Sequence, residues 1–175
     1  MDIASLSERL TRVEDRLAIL DLLAGSAISS DTASETFWAD MFTDDAVMDR
    51  GGAVPDDVGR ENLLAIVRSP SQRAAIDAGM AHLAMMPTIA IDGDRATATG
   101  YLLIVVPDTE ARAILLPGKG SSAGIGIYQV TVNRWELVRT ADGWRVSRRV
   151  VRALAADDSR SILARGIDRG DGATI

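Results

Sequence analysis

Residues 80–106, reading MAHLAMMPTIAIDGDRATATGYLLIVV, decide the fold. Apolar residues alternate on both sides of Asp92-Gly93, a dipeptide suited to a tight hairpin turn. Two strands are therefore predicted, over residues 80–91 and 95–106. A Gly/Ser-rich stretch follows at 117–126, and residues 127–140 and 144–153 then flank Asp142-Gly143, a second hairpin of the same kind. Ahead of these strands the period is helical. Leu6, Leu10, Val13, Leu17 and Leu20 recur at spacings of three and four, and Ser5 and Glu8 have the spacing of a capping box. The apolar pattern runs on through Leu22, Leu23 and Ile28 and stops at Ser29-Ser30-Asp31. A short helix from Thr32 carries Phe37, Trp38 and Met41 inward, residues 45–49 form a short strand, and residues 61–67 form a third helix. Helices first and an antiparallel meander second predict an α+β fold, in which a curved antiparallel sheet wraps around the N-terminal helices and encloses a pocket. One domain over residues 1–156 is expected, with residues 157–175 a polar tail or arm that orders against a partner.

Composition narrows the chemistry. The chain has 175 residues, 19 Lys+Arg against 25 Asp+Glu, and a net charge of −6. That balance argues against nucleic-acid binding, which needs cations to neutralise phosphates. Without cysteine there is no thiolate nucleophile, disulfide or zinc ribbon. With His82 the only histidine and Lys119 the only lysine, multi-histidine sites are excluded and Schiff-base chemistry would rest on one loop residue. The acidic pairs Asp44-Asp45 and Asp56-Asp57 lack the spacing of metal ligands, so no metal and no cofactor is expected. The loop Gly118-Lys119-Gly120-Ser121-Ser122 leads into a strand and lacks P-loop spacing, which favours a surface loop or pocket lid over a phosphate cradle. With no signal-peptide pattern and no apolar run long enough to span a bilayer, a cytoplasmic protein that does not engage membranes is expected.

His82 is the leading candidate for chemistry, because an imidazole takes and returns protons near neutral pH without a metal. If Asp92 and Gly93 form the turn, His82 pairs with Leu103, Ala84 with Tyr101 and Met86 with Thr99. His82, Met86, Tyr101 and Thr99 would then share one face, a proton-transfer group and a phenol among apolar walls. Asn133 and Trp135 alternate along the third long strand. With Asp142-Gly143 as the turn they share a face with Val150 and Arg152, while Glu136 pairs with Arg149 in a structural ion pair.

The order of motifs resembles a known family. Glu14-Asp-Arg-Leu-Ala-Ile-Leu-Asp-Leu-Leu with Asp31, Trp38-Ala-Asp-Met-Phe-Thr-Asp-Asp-Ala-Val, Val58-Gly-Arg-Glu and Ala81-His82-Leu83 are similar to segments of SnoaL-like domains in the nuclear transport factor two-like superfamily. So are Ile91-Asp-Gly-Asp-Arg-Ala, Trp135-Glu-Leu-Val-Arg139 and Asp142-Gly-Trp-Arg-Val with Arg149. The resemblance covers residues 10–153 and implies a cone-shaped sheet with an internal cavity. In enzymes of that superfamily, dehydratases and a dehydrochlorinase among them, an Asp at the end of the first helix and a His at the start of a central strand form a proton-transfer dyad. The resemblance places Asp31 and His82 in those roles. It also exposes a departure: Ser26 stands where such enzymes often carry a Tyr, five residues before the Asp.

The expected function is thus a cofactor-independent lyase or isomerase acting on a small, largely apolar, aromatic-type molecule. His82 and Asp31 would be catalytic, and Tyr101, Asn133, Trp135, Trp38 and Met86 would bind substrate. The alternative is a non-catalytic ligand-binding or assembly module, such as the β-type subunits of ring-hydroxylating dioxygenases. A homodimer or homotrimer is expected in either case.

Overall fold

Helix α1 (Ile3–Asp31) begins earlier than its capping pattern predicts, because Asp2 is the N-cap and its Oδ1 accepts from Ser5 N at 2.7 Å. The computed structural model describes residues 2–52 and 54–168. Helix α1 ends where the sequence suggests. Thr32 turns back to bond Ile28 O through both its N–H and its hydroxyl, and Ala33 adopts a positive φ of 50°. Helix α2 (Glu35–Met41) follows, then β1 (Phe42–Asp49), the two-residue β2 (Asp57–Val58), α3 (Arg60–Arg68) and α4 (Pro70–Asp77). Helix α4 was not expected from the sequence. Pro70 at its first turn and a Ser69 side chain accepting from Gln72 N define it.

The predicted strand over residues 80–91 is two strands, β3 (Ala81–Ala84) and β4 (Thr88–Asp92), and both pair with β5 (Arg95–Pro107). The turn falls at Gly93-Asp94, one residue later than predicted, with Asp92 opposite Arg95. The Gly/Ser-rich stretch contributes to a small exposed hairpin, β6 (Ile114–Leu116) and β7 (Gly120–Ser122). Strands β8 (Ile125–Thr140) and β9 (Gly143–Ala153) complete the main sheet, in the order β2-β1-β9-β8-β5-β3 with β4 beside β5. The sheet is mixed, and this corrects the antiparallel meander: β1 runs parallel to β9. A β1–β9 pair joins strands far apart in sequence, so no local turn signal reports its direction. The C-terminal arm is also corrected in part. Helix α5 (Ser159–Ile167) packs on β5 and β8 with Ile162 fully buried; residues 169–175 lie outside the described residues.

The core lies between the helices and the inner face of this curved, unclosed sheet. Ile19 and Leu23 of α1, Trp38 and Met41 of α2, and Leu63 and Val67 of α3 meet Ala98, Trp135, Leu137 and Val146 there. One polar cluster fastens α1 to both hairpin ends. The Asp15 carboxylate accepts two 2.6 Å bonds from the Arg139 guanidinium and one of 3.1 Å from Trp144 Nε1. Arg139 stacks 4.5 Å over the Trp144 ring and also bonds Asp94.

The guanidinium of Arg139 holds the Asp15 carboxyl below the ordinary value of 3.8, and Arg152 does the same for Asp49. A carboxyl depressed in the folded state contributes stability that is present above its unfolded value and is lost as pH falls through its folded value. Melting temperature is therefore expected to fall steeply below about pH 4. Asp15→Asn should remove about 2–3 kcal/mol at neutral pH, about 4–12 °C in Tm for a chain of this size. It should also flatten the acid limb. Thermal melts from pH 7 to pH 2 on both proteins test this, and identical acid limbs would refute it.

Candidate active site

His82 lies on β3 opposite Ile104, which puts it on the helix-facing side of the sheet with Leu102 and Gly100. The end of α1 delivers Asp31 to the same place. The His82 N–H donates to both carboxylate oxygens, at 3.1 and 2.9 Å, and His82 Nδ1 lies 2.6 Å from Asp31 Oδ1. A carboxylate only accepts, so Nδ1 carries the proton, and in the neutral form of the ring the lone pair lies on Nε2. That Nε2 makes no hydrogen bond within the described chain. Both side chains are largely buried, 14% and 24% exposed. Asp31 does not cap the next helix; Ser34 occupies the N-cap position of α2.

A second polar centre was not foreseen as such. Arg149 is buried, and its Nε and Nη2 donate to Asn133 Oδ1 at 3.0 and 2.9 Å. Asn133, fully buried, donates through Nδ2 to Thr131 Oγ1 at 2.8 Å. The guanidinium lies 5.7 Å from the Trp135 ring. Among the described residues no carboxylate lies within salt-bridge distance of it. Burial pushes Arg149 down to about 10, so it remains a cation at neutral pH. Two donors in the core are also unspent: the indole N–H groups of Trp38 and Trp135 are buried without a partner. Each such donor costs about 1–3 kcal/mol unless an acceptor arrives. A buried cation with only neutral partners is complementary to an anion or a developing oxyanion.

Two one-residue irregularities explain what the sequence missed. Between Ala84 and Thr88 the residue sum of paired positions changes from 186 in β3–β5 to 187 in β4–β5. Even-numbered residues face inward on β3 and odd-numbered ones on β4. Pro87 crosses over Gly100 at this point, and a Cβ on Gly100 would sit 3.1 Å from Pro87 Cα. The expected shared face is therefore corrected: Tyr101 and Thr99 lie on the opposite side from His82, where Thr99 meets Gly166 of α5. Met86, in the crossover, is 83% exposed. The second turn falls at Ala141-Asp142, one residue earlier than expected, and together with a shift between Glu136 and Leu137 this places Trp135 opposite Arg149 and Asn133 opposite Val151 rather than Val150 and Arg152. Glu136 faces Arg148, which pairs with Asp49 at 2.7 Å, so the expected Glu136–Arg149 ion pair is absent. Of the expected binding residues, Asn133, Trp135 and Trp38 are in the interior beneath the sheet, and Tyr101 and Met86 are outside it. A cleft of about 750 Å³ opens elsewhere, along β4 beside the end of α5, and includes neither dyad residue. Among the described residues no cluster of three or more His, Cys, Asp or Glu side chains could hold a metal ion, and no helix is long and apolar enough to cross a membrane. Asp44 pairs with Arg60 and Asp57 with Arg50.

A helical bundle inside a curved mixed sheet, with an Asp at the helix end and a His at the strand start, defines a cone-fold protein of the NTF2-like class. The chain belongs to the SnoaL-like domain family, whose model matches residues 11–150. An NTF2-like protein with a cystatin-like fold from Novosphingobium aromaticivorans is similar, at 26% identity and a TM-score of 0.79 over 93% of this chain and 97% of that one. The hexachlorocyclohexane dehydrochlorinase LinA-type3 from Novosphingobium barchaimii shares the fold at 20% identity, TM-score 0.63, over 83% and 90% of the two chains. A Catenulispora acidiphila protein in complex with S-DNPA does so at 20% identity, TM-score 0.61, over 84% and 96%. No curated protein matches the chain.

Proposed function

We propose that this protein is a cofactor-independent lyase or isomerase that works by proton transfer at His82. The observation that carries the proposal is the 2.6 Å contact between Asp31 Oδ1 and His82 Nδ1. It fixes the tautomer and leaves Nε2 as the base. In the first step Nε2 takes a proton from an acidic C–H of the substrate, and Asp31 stabilises the imidazolium that forms. The freed electron pair either expels a leaving group from the adjacent carbon or delocalises into a carbonyl, and Arg149 supplies the positive charge for the developing anion. The imidazolium then returns its proton to the departing oxygen, which is dehydration, or to another carbon, which is isomerisation.

Ser26 offers no substitute for a phenol, since its hydroxyl donates to Leu23 O within α1. Tyr101 lies on the other face and Tyr128 is 71% exposed. Imidazolium must therefore serve the leaving group itself, and proton and hydroxyl should depart from the same face of the substrate. On a flat sheet the Cα atoms of His82 and Asn133 would lie about 16 Å apart, and curvature shortens this. A ligand touching both centres is therefore of one- to three-ring size, with an apolar body and one anionic or carbonyl end.

The test is to incubate the protein, without added metal or nucleotide, with a panel of β-hydroxy and β-halo carbonyl compounds in D₂O and follow them by NMR. Elimination product or deuterium at the acidic carbon is expected with wild type, and a marked loss with Asp31→Asn. Full rates in the Asp31→Asn protein would overturn the proposal.

A further inference from the structure

Helix α1 is apolar on two faces, and the body of the protein uses only one of them. Asp15, Ile19 and Leu23 point into the fold. Nearly opposite, Ile3, Leu6, Leu10, Val13 and Leu17 are exposed by 55% to 87%. Their spacing of three and four is the a/d seam of a coiled coil, with Ile3, Leu10 and Leu17 at a and Leu6, Val13 and Leu20 at d. At 29 residues the helix is about 43 Å long. Its first half projects from the body, with almost every residue from Asp2 to Glu14 exposed. A solitary helical segment of that length is marginal in water, and an exposed leucine seam on it needs a covering surface.

The flanking charges say which surface. Arg9 and Arg16 occupy the g positions, and Glu14 and Asp21 the e positions. In a parallel pair each g residue meets the e residue five places on in the other strand, so Arg9 would meet the partner's Glu14 and Arg16 the partner's Asp21. Both are opposite-charge pairs. In an antiparallel pair g meets g and e meets e, and the contacts are between like charges. Arg16 now donates to Ile89 O at 3.3 Å through Nη1, which leaves its other N–H groups for such a pair. The acidic residues mixed along this helix, Glu8 and Glu14 among them, disfavour an anionic lipid surface as the cover.

We propose that the α1 seam binds a second copy of this chain in a parallel, in-register, two-stranded coiled coil. The lack of cysteine makes a direct test possible. Light scattering behind gel filtration should give twice the chain mass for wild type and a single chain mass for Leu10→Glu. Leu10 makes no core contact, so the circular-dichroism melt should keep its cooperative form and confirm folding. Position a faces its own copy only in a parallel in-register pair. Leu10→Cys should therefore form a disulfide-linked dimer under mild oxidation, and Arg12→Cys, at an outer position, should not. A monomeric wild type, a trimer mass, or a dimer that survives Leu10→Glu would each overturn the proposal. So would a dimer in which Leu10→Cys fails to cross-link. A monomer that instead binds anionic vesicles through this helix would overturn it in favour of a membrane surface.

Discussion

His82→Gln is expected to lower kcat by about 10²–10⁴-fold, the usual worth of a positioned general acid–base group. The fold should be untouched. Two of the three hydrogen bonds that Asp31 accepts come from the His82 main-chain N–H, which the substitution keeps. The Gln amide can still donate to Asp31, so the carboxylate is not left bare. What disappears is the imidazole, a general acid–base group that an amide cannot replace. The prediction is thus a large change in rate with a Tm within a few degrees of wild type. It is measured on whichever panel compound wild type turns over. A His82→Gln protein with more than half of the wild-type rate would exclude the dyad as the proton-transfer machinery, and a large fall in Tm would mark His82 as structural.

The second large effect is a gain in stability. A guanidinium buried among neutral groups has lost its hydration without gaining a counter-charge, so the folded state carries that cost whenever the site is empty. Replacing Arg149 with Met alone removes the cation but strands Asn133 Oδ1, at about 1–3 kcal/mol. Replacing both together, Asn133→Leu with Arg149→Met, removes the polar pair and fills the space with apolar atoms. By analogy with buried ion clusters exchanged for hydrophobic residues, the double variant should be more stable by about 1–4 kcal/mol. It should also lose activity and lose thermal stabilisation by anionic ligands. A cation retained at that cost is explained if it serves a substrate. A double variant that melts lower than wild type would show that Arg149 and Asn133 are there for the fold, and the anion-binding role would fall.

Much of the architecture was legible because it is local. The spacing of Leu6 through Leu20 reports a helix whatever surrounds it, and alternation around Asp92-Gly93 and Asp142-Gly143 reports hairpins. The pairing of Asp31 with His82, 51 residues apart, became legible only through the resemblance, since no spacing rule connects a helix end to a strand start. What failed was parity. Tyr101 was placed beside His82, and Glu136 beside Arg149, by counting outward from a turn. A side chain changes sides with each unit of register, so one additional residue anywhere between the turn and the site inverts the answer. The parallel pairing of β1 with β9 was invisible for the same kind of reason, being a contact without a connecting turn. The spacing of Leu6 through Leu20 left open what covers that side of α1, because a hydrophobic stripe shows that a helix needs a partner and not which partner it has.

The crossover from Ala84 to Thr88 bears on how this protein can change over time. Residue identity matters little at Met85 and Met86, which lie 52% and 83% exposed. Residue number matters a great deal. Losing or gaining one codon there would turn either His82 or Ile89 and Ile91 to the opposite side of the sheet. Descendants of this gene should therefore accept many amino acids at those two positions and almost no change in length.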